Sequence, residues 1–140
     1  MSILILEDGI QQFIRAQPAL ITLIGSMADG FFLNSVPEKA HDPCIGIQVI
    51  SDQPDATNNG PTGLNFRRYQ FCCYAKSYVV ACRVSETLRL ALDGFTGTFP
   101  NGQRVYNVLR DNSLDGFDDL TNTHRKITDY IFHFAESLSP

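Results

Sequence analysis

The sequence predicts an α+β fold: a two-layer domain with a mainly antiparallel sheet of about four strands, an N-terminal helix and a long central helix packed on one face. Three observations predict it. Tyr69, Phe71 and Cys73 occupy odd positions of an extended run and share one face of a strand, because successive side chains alternate sides. Directly after it, Ala81, Val84, Leu88 and Leu92 recur at helical spacing along a single stripe, so one apolar face follows another in the chain. The overall order of a helix, two strands, the central helix and two more strands then puts the helices on a common face of the sheet.

In chain order, residues 3–16 read as a helix with Leu6, Ile10, Phe13 and Ile14 on one face and Glu7, Gln11 and Arg15 away from it. Pro18 interrupts that helix and suits the first turn of a short second one, over 18–24, which stops at Gly25. Phe31 to Leu33 suits a short edge strand, and Pro37 and Pro43 bracket a polar connection read as loop. Ile45, Ile47 and Val49 alternate with Gly46 and Gln48, the pattern of a strand with one face buried. The stretch 52–63, DQPDATNNGPTG, is the most loop-like of the chain. It is longer than most hairpin connections, and loops of that length are more often functional or disordered. Its Gly60 to Gly63 spacing is that of an RNA-binding glycine loop, but that loop joins two helices and this one joins two strands.

Ser77 stands where a hydroxyl can accept from the free amides of the central helix, and Gly94, after Asp93, suits its left-handed cap. Pro100 and Asn101-Gly102 make a turn, and residues 104–110 resume as a strand with Val105 and Leu109 on one face. Asp111, Asp115, Asp118 and Asp119 follow in a segment that reads as a solvated acidic loop. It lacks the ligand spacing and closing glutamate of a helix-loop-helix calcium site. The last strand, over 126–135, alternates Tyr130, Phe132 and Phe134 with Ile131 and His133. That density suits cover by helix on one side and by a neighbouring subunit on part of the other, although the core alone could account for it. His133 reads as a satisfied structural histidine, and His41 and His124 carry no evident role.

Composition sets the outer bounds. A chain of 140 residues with 44% hydrophobic content reads as a single domain, 1–140, able to bury roughly 68% of its extended surface. No run has the length of a membrane span, and residues 3–6 are too short for a signal-peptide core, so the reading is a protein made in the cytoplasm with no membrane partner. A net charge of -4 gives no broad attraction to phosphate backbones. Cys44, Cys72, Cys73 and Cys82 lack the paired spacing of a structural zinc site and read as buried free thiols, with Cys72 and Cys73 on opposite faces of their strand. No serine elbow, phosphate-cradling loop or metal-binding histidine pair is present, and a pairing of Cys82 with His133 has no support in the sequence. The expectation is a protein with no catalytic residue, no metal and no cofactor.

Several short motifs resemble one known family. They are an arginine-led strand, from Arg67-Arg68 to Cys73-Tyr74-Ala75, and a helix closing on Leu90-Ala91-Leu92-Asp93-Gly94-Phe95 with Gly97 behind it. Leu6-Glu7-Asp8-Gly9-Ile10, Gln17-Pro18-Ala19-Leu20 with Gly25, the alternating strand over 45–50 and Gly60-Pro61-Thr62-Gly63-Leu64 extend the likeness over nearly the whole chain. The pattern resembles the tail completion proteins of long-tailed bacteriophages and prophages, which are tail terminators or head-to-tail joining proteins. The resemblance implies a structural virion protein that caps the tail tube, stops its elongation and joins it to the head connector as a hexameric ring. Its partners would be further copies of itself, the tail tube protein and a head-completion or connector protein, with DNA passing through without specific binding. Its place would be the head-proximal end of the tail, after assembly in the host cytoplasm.

Within that reading, the loops 52–63 and 36–43 are the expected partner-binding elements, through Asp52, Gln53, Asp55, Asn58, Asn59, Gly60, Thr62, Glu38 and Lys39. Arg67 and Arg68 are expected at subunit contacts, with plain surface solubility as the alternative. Asp111, Asp115, Asp118 and Asp119 are expected on the wall of a DNA channel, where negative groups repel phosphate. Composition alone fits a small bacterial regulatory or ligand-binding α+β domain equally well. A head-side connector piece and a part of a contractile injection machine are closer rivals.

Overall fold

In the computed structural model the described residues are 2–3, 5–25, 30–33, 42–57, 60–135 and 138–139, with the side chains of 2–3, 53–57, 60–64 and 138–139 outside the description. Leu6–Arg15 forms α1 and Pro18–Ile24 forms α2. Glu7 and Asp8 lie in the first turn of α1 and Arg15 in its last, in accord with the helix dipole. The helix begins at Leu6 and not at residue 3, because Ser2–Ile3 (β1) pairs antiparallel with Leu138–Ser139 (β8). Pro18 takes the first turn of α2, and Gly25, at φ 88°, ends it in a conformation that few other residues adopt.

The remaining strands are β2 (Phe31–Leu33), β3 (Cys44–Thr57), β4 (Gly60–Ala75), β5 (Gly97–Thr98), β6 (Arg104–Asp118) and β7 (Thr123–Ala135). They form one sheet in the order β2-β3-β4-β7-β6-β5, in which β2 runs parallel to β3 and the other pairs are antiparallel. This overturns the expected four-stranded antiparallel sheet built around a long helix. The sheet has six strands and is mixed. The helix Tyr78–Leu92 (α3) has 15 residues and measures about 22 Å, whereas the 16 residues of β4 reach about 53 Å. The strands are the long elements of the molecule.

The two further strands are the short edge pieces β2, which makes the sheet mixed, and β5, while two expected loops account for the lengths of β3, β4 and β6. Residues 52–57 continue β3 and 60–63 belong to β4, with Pro54 opposite Asn65 and Thr57 opposite Gly60, so the supposed loop is a two-stranded arm. Its glycine and proline content suggests a loop, yet Pro54, Gly60 and Pro61 all stand in paired register, and a bulge between Pro54 and Ala56 shifts the ladder without ending it. Similarly, Asp111, Asp115 and Asp118 are strand residues of β6, which pairs with β7 up to Asp118 opposite Thr123.

The core lies between the three helices and one face of the sheet. Leu6, Ile10, Ile14, Leu20, Ile24, Val84, Leu88 and Leu92 meet Phe31, Ile45, Ile47, Tyr69, Phe71, Cys73, Tyr130, Phe132 and Phe134 in a single cluster. The expected stripe of α3 and the odd face of β4 are therefore the buried ones. Ser77 is the N-cap of α3, but its side chain makes no capping bond; its carbonyl accepts from Ala81 N instead. Gly94 takes φ 80°, and its N–H donates to Val108 O at 2.7 Å, which ties the helix end to β6. Val105 and Leu109 do not share a face as expected. A bulge between Val105 and Asn107 shifts the phase, so Val108 enters the core and Leu109 is exposed.

Candidate functional site

The sheet has one face under the helices and one open face, and adjacent residues of β4 divide between them. Arg67 shares the phase of Tyr69 and sits at the rim of the covered face. Its Nη1 donates to Glu7 Oε1 at 3.1 Å and Tyr69 Oη at 3.3 Å, its Nη2 donates to Asp52 Oδ2 at 2.9 Å, and the guanidinium lies 4.9 Å from the Phe134 ring centroid. Burial alone would lower its pKa, but the hydrogen bonds to Asp52 and Tyr69 outweigh this and raise it. Glu7, expected to point away from the helix's buried face, is half-buried and joins α1 to β3 and β4 through this arginine.

Arg68 points to the open face. Its Nη1 contacts Asp111 Oδ2 at 2.6 Å and Asp129 Oδ2 at 3.2 Å, drawing β4, β6 and β7 together. Both arginines expected at subunit contacts thus have partners within the chain. Toward the arm end of the open face, Phe66 stacks on His133 at 4.3 Å with 6° between the planes, and Tyr106 lies 5.6 Å from the same ring. His133 Nε2 is buried and has no hydrogen-bond partner among the described residues, which corrects the expectation of a satisfied histidine. His133 pairs with Phe66 and stands on the opposite sheet face from Phe132 and the helices, so the Cys82–His133 arrangement is not formed.

The acidic residues spread along β6. Asp111 faces Arg68. Asp115 accepts from Tyr78 Oη at 2.8 Å and contacts Lys126 Nζ at 2.6 Å, and the lysine holds its carboxyl below the usual aspartate range. Asp118 accepts the Leu120 N–H at 2.9 Å, which lowers its pKa too, and Asp119 is exposed in the turn. Seven steps from Asp111 to Asp118 cover about 23 Å, so these carboxylates form a row and not a cluster. His124, read as having no role, lies between Phe117 at 4.7 Å and Tyr78 at 5.6 Å.

Of the expected partner-binding residues, Asp52 is exposed on β3 and paired with Arg67, Gln53 and Asp55 lie on the β3 strand of the arm, and Gly60 and Thr62 on its β4 strand. Asn58, Asn59, Glu38 and Lys39 lie outside the described residues, as does the 36–43 stretch apart from Asp42 and Pro43. The arm and the β6–β7 turn occupy opposite ends of the sheet. Leu64 pairs with Ala135 at one end of the β4–β7 ladder and Ala75 with His124 at the other, eleven steps or about 36 Å away.

Burial pushes the Cys44 thiol up to about 11 and raises Cys72 and Cys73 as well, which disfavours the reactive thiolate form. Among the described residues, no group of three or more His, Cys, Asp or Glu side chains is placed to hold a metal ion, and no helix is long and apolar enough to cross a membrane. Sequence reasoning missed Ile50, Phe66, Tyr106, Leu109, Leu114 and Phe117, exposed apolar residues of the strands, and it expected Val49 on the buried face of β3, where it is 43% exposed. The signal available was the even phase of β4, where Phe66 breaks the odd-face pattern, and the apolar Ile127 and Ile131 between the core positions of β7.

No known family pattern matches the sequence, and neither does any curated protein. Nineteen chains of solved structures share its fold. One belongs to a structure described as "Virion of native gene transfer agent (GTA) particle", which superposes with a TM-score of 0.76 over 94% of this chain and 95% of the other, at 12% identity. At that identity the likeness is one of fold: nearly the whole chain shares the architecture of a chain in that particle.

Proposed function

We propose that this protein is a structural virion component that caps the end of a phage tail tube, stops its elongation and forms the joint to the head connector, acting as a ring of copies. The observation that carries the proposal is the superposition of nearly the whole domain on a chain of a virion particle. The motif resemblance to tail completion proteins points to the same kind of role. In this reading the 52–63 arm engages an axial partner, and the open face, with Asp111 of β6, lines the channel wall, where negative groups repel the phosphates of passing DNA, while Asp115 faces Lys126 and Tyr78 on the helix side. The separation of about 36 Å between arm and β6–β7 turn suits a joining piece, since it gives one subunit two contact ends.

Electron microscopy of particles made with the gene disrupted tests the role. DNA-filled heads beside unattached tails, with tails of irregular or excessive length, are the expected outcome. Normal infectious particles would remove the virion role.

A further inference from the structure

The sheet has two long edges that the described residues leave open, and they differ in where they are covered. On β6, β5 covers Arg104 and Val105, and the end of α3 covers the next turn of the edge: Gly94 N donates to Val108 O and Arg110 N donates to Asp93 Oδ1 at 3.2 Å. From Asn112 to Asp118 no described residue pairs with the outer side of β6. On β3, β2 covers only Ile45 to Ile47, so the strand is open from Gln48 onward. Natural edges of this kind are commonly blunted with lysine. Neither stretch carries one; over 48–54 and 112–118 the charges are Asp52 on β3 and Asp115 and Asp118 on β6, with Pro54 at the far end of the β3 part, and Ile50, Leu114 and Phe117 are exposed there, Leu114 to 56%.

We propose that copies of this chain associate head to tail, the β6 edge over 112–118 of one pairing antiparallel with the β3 edge over 48–54 of the next; this rests on the ring reading above and names its interface. Polarity fits: three antiparallel steps separate β3 from β6, so the two edges run in opposite directions and a rotated copy continues the ladder. Level fits as well. Within one subunit Asp52 stands level with Val108, through Arg67 and Phe132. Strands closing around an axis tilt by about 35–45°, and four strand steps of about 4.8 Å then offset neighbouring copies by roughly four to six residues along the strand.

β4 and β6 run parallel and are joined through α3, a crossover for which the right hand is the rule; in that hand, and with the helices outermost, the offset runs toward the C-terminal end of β6. Asp52 of the next copy is thereby carried past the covered Val108–Arg110 turn to about residue 114. The open part of each edge then meets the open part of the other. The bulges at Val49/Ser51 and Arg110/Asn112 also lie on one level of the sheet, through Tyr69 and Tyr130, so both edges bend together.

The test uses the full chain with Leu114→Lys on one edge and Ile50→Lys on the other, followed by light scattering over rising concentration. The wild type should associate, and either substitution alone should weaken association at least about tenfold, because every contact needs one edge of each kind. An equal mixture of the two variants should form a dimer and go no further, since each supplies the edge the other has lost. That rescue also shows that both variants are folded. A wild type that stays monomeric into the millimolar range overturns the proposal, as do variants that associate like wild type. Loss with Leu114→Lys but not with Ile50→Lys would mean β6 pairing with itself, and overturns it too. None of these results touches the virion role, which the particle images decide separately.

Discussion

The two faces of the sheet are built from the same strands and solve different problems. Along β4, Tyr69, Phe71 and Cys73 are at most 1% exposed beneath the helices, while Phe66, Arg68, Gln70 and Cys72 alternate with them on the other side, all partly accessible. The covered face is a mesh of rings: Tyr69 and Phe132 at 5.3 Å, Phe71 and Tyr130 at 5.3 Å, each near perpendicular. The open face is held by one arginine between two carboxylates and one aromatic stack on an unsatisfied histidine. Each face keeps a buried polar atom without a partner among the described residues, Tyr130 Oη on the covered side and His133 Nε2 on the open one, but only the open face adds exposed leucines, Leu109 and Leu114. The difference separates the face that folds the chain from the face that stays accessible.

The largest test of that separation is Phe132→Ala. Phe132 is fully buried and stands against Tyr69, Phe71 and Phe99, so truncation leaves a cavity on the covered face and should cost about 3–5 kcal/mol in denaturant unfolding. A cost below about 1 kcal/mol would mean that the rings do not pack as described. Next comes the pair of adjacent arginines. Arg67→Met strands Glu7 and Asp52 and severs the tie between α1 and the sheet; about 1–2 kcal/mol is expected. Arg68→Met on the open face leaves Asp111 hydrated but strands the less accessible Asp129, and it breaks no tie that the β4–β7–β6 ladder does not already make, so about 0.5–1 kcal/mol is expected, below the cost at Arg67. Equal costs would erase the distinction between the faces at this position.

His133→Phe should act in the opposite direction. It keeps the stack on Phe66 and removes the buried Nε2 that lacks a partner, so the isolated protein should gain about 0.5–1 kcal/mol, seen as a higher Tm. A loss of stability would show that the nitrogen is satisfied in solution.

The covered face was legible in the sequence because it obeys two simple periods: every second residue of β4 and β7, and every third or fourth of α3. The arm and the acidic row were not legible. Gly60, Pro61, Gly63 and the Asn58-Asn59 pair have the composition of a loop, and Asp111 to Asp119 that of a solvated turn. Long-range pairing to a neighbouring strand decided both segments, and local propensity carries no record of that neighbour. Bulges did the rest. One between Val105 and Asn107 exchanges Leu109 for Val108 in the core, a change of phase that no alternation rule anticipates. Of the candidate site, the acidic residues and arginines were visible as charges, but their mutual pairing required the register.

The smallest expected effect concerns acid, and it separates two carboxylates on the same strand. Asp115 is held low mainly by Lys126, and Asp118 mainly by the Leu120 N–H. A carboxylate whose folded pKa lies below its unfolded one stabilises the fold above the unfolded value, and the contribution disappears as pH falls through the folded one. Asp115 is exposed and Asp118 partly so, and the melting temperature should therefore decline only slightly as pH falls below the ordinary aspartate range. Asp115→Asn should flatten part of that decline, and molar salt should imitate the substitution by screening the lysine. Asp118→Asn should flatten another part that salt leaves in place, because a hydrogen bond to a backbone amide is not an ion pair. If salt removes both contributions alike, Asp118 is governed by the field of neighbouring charges, and the turn at Leu120 is looser than its hydrogen bond implies.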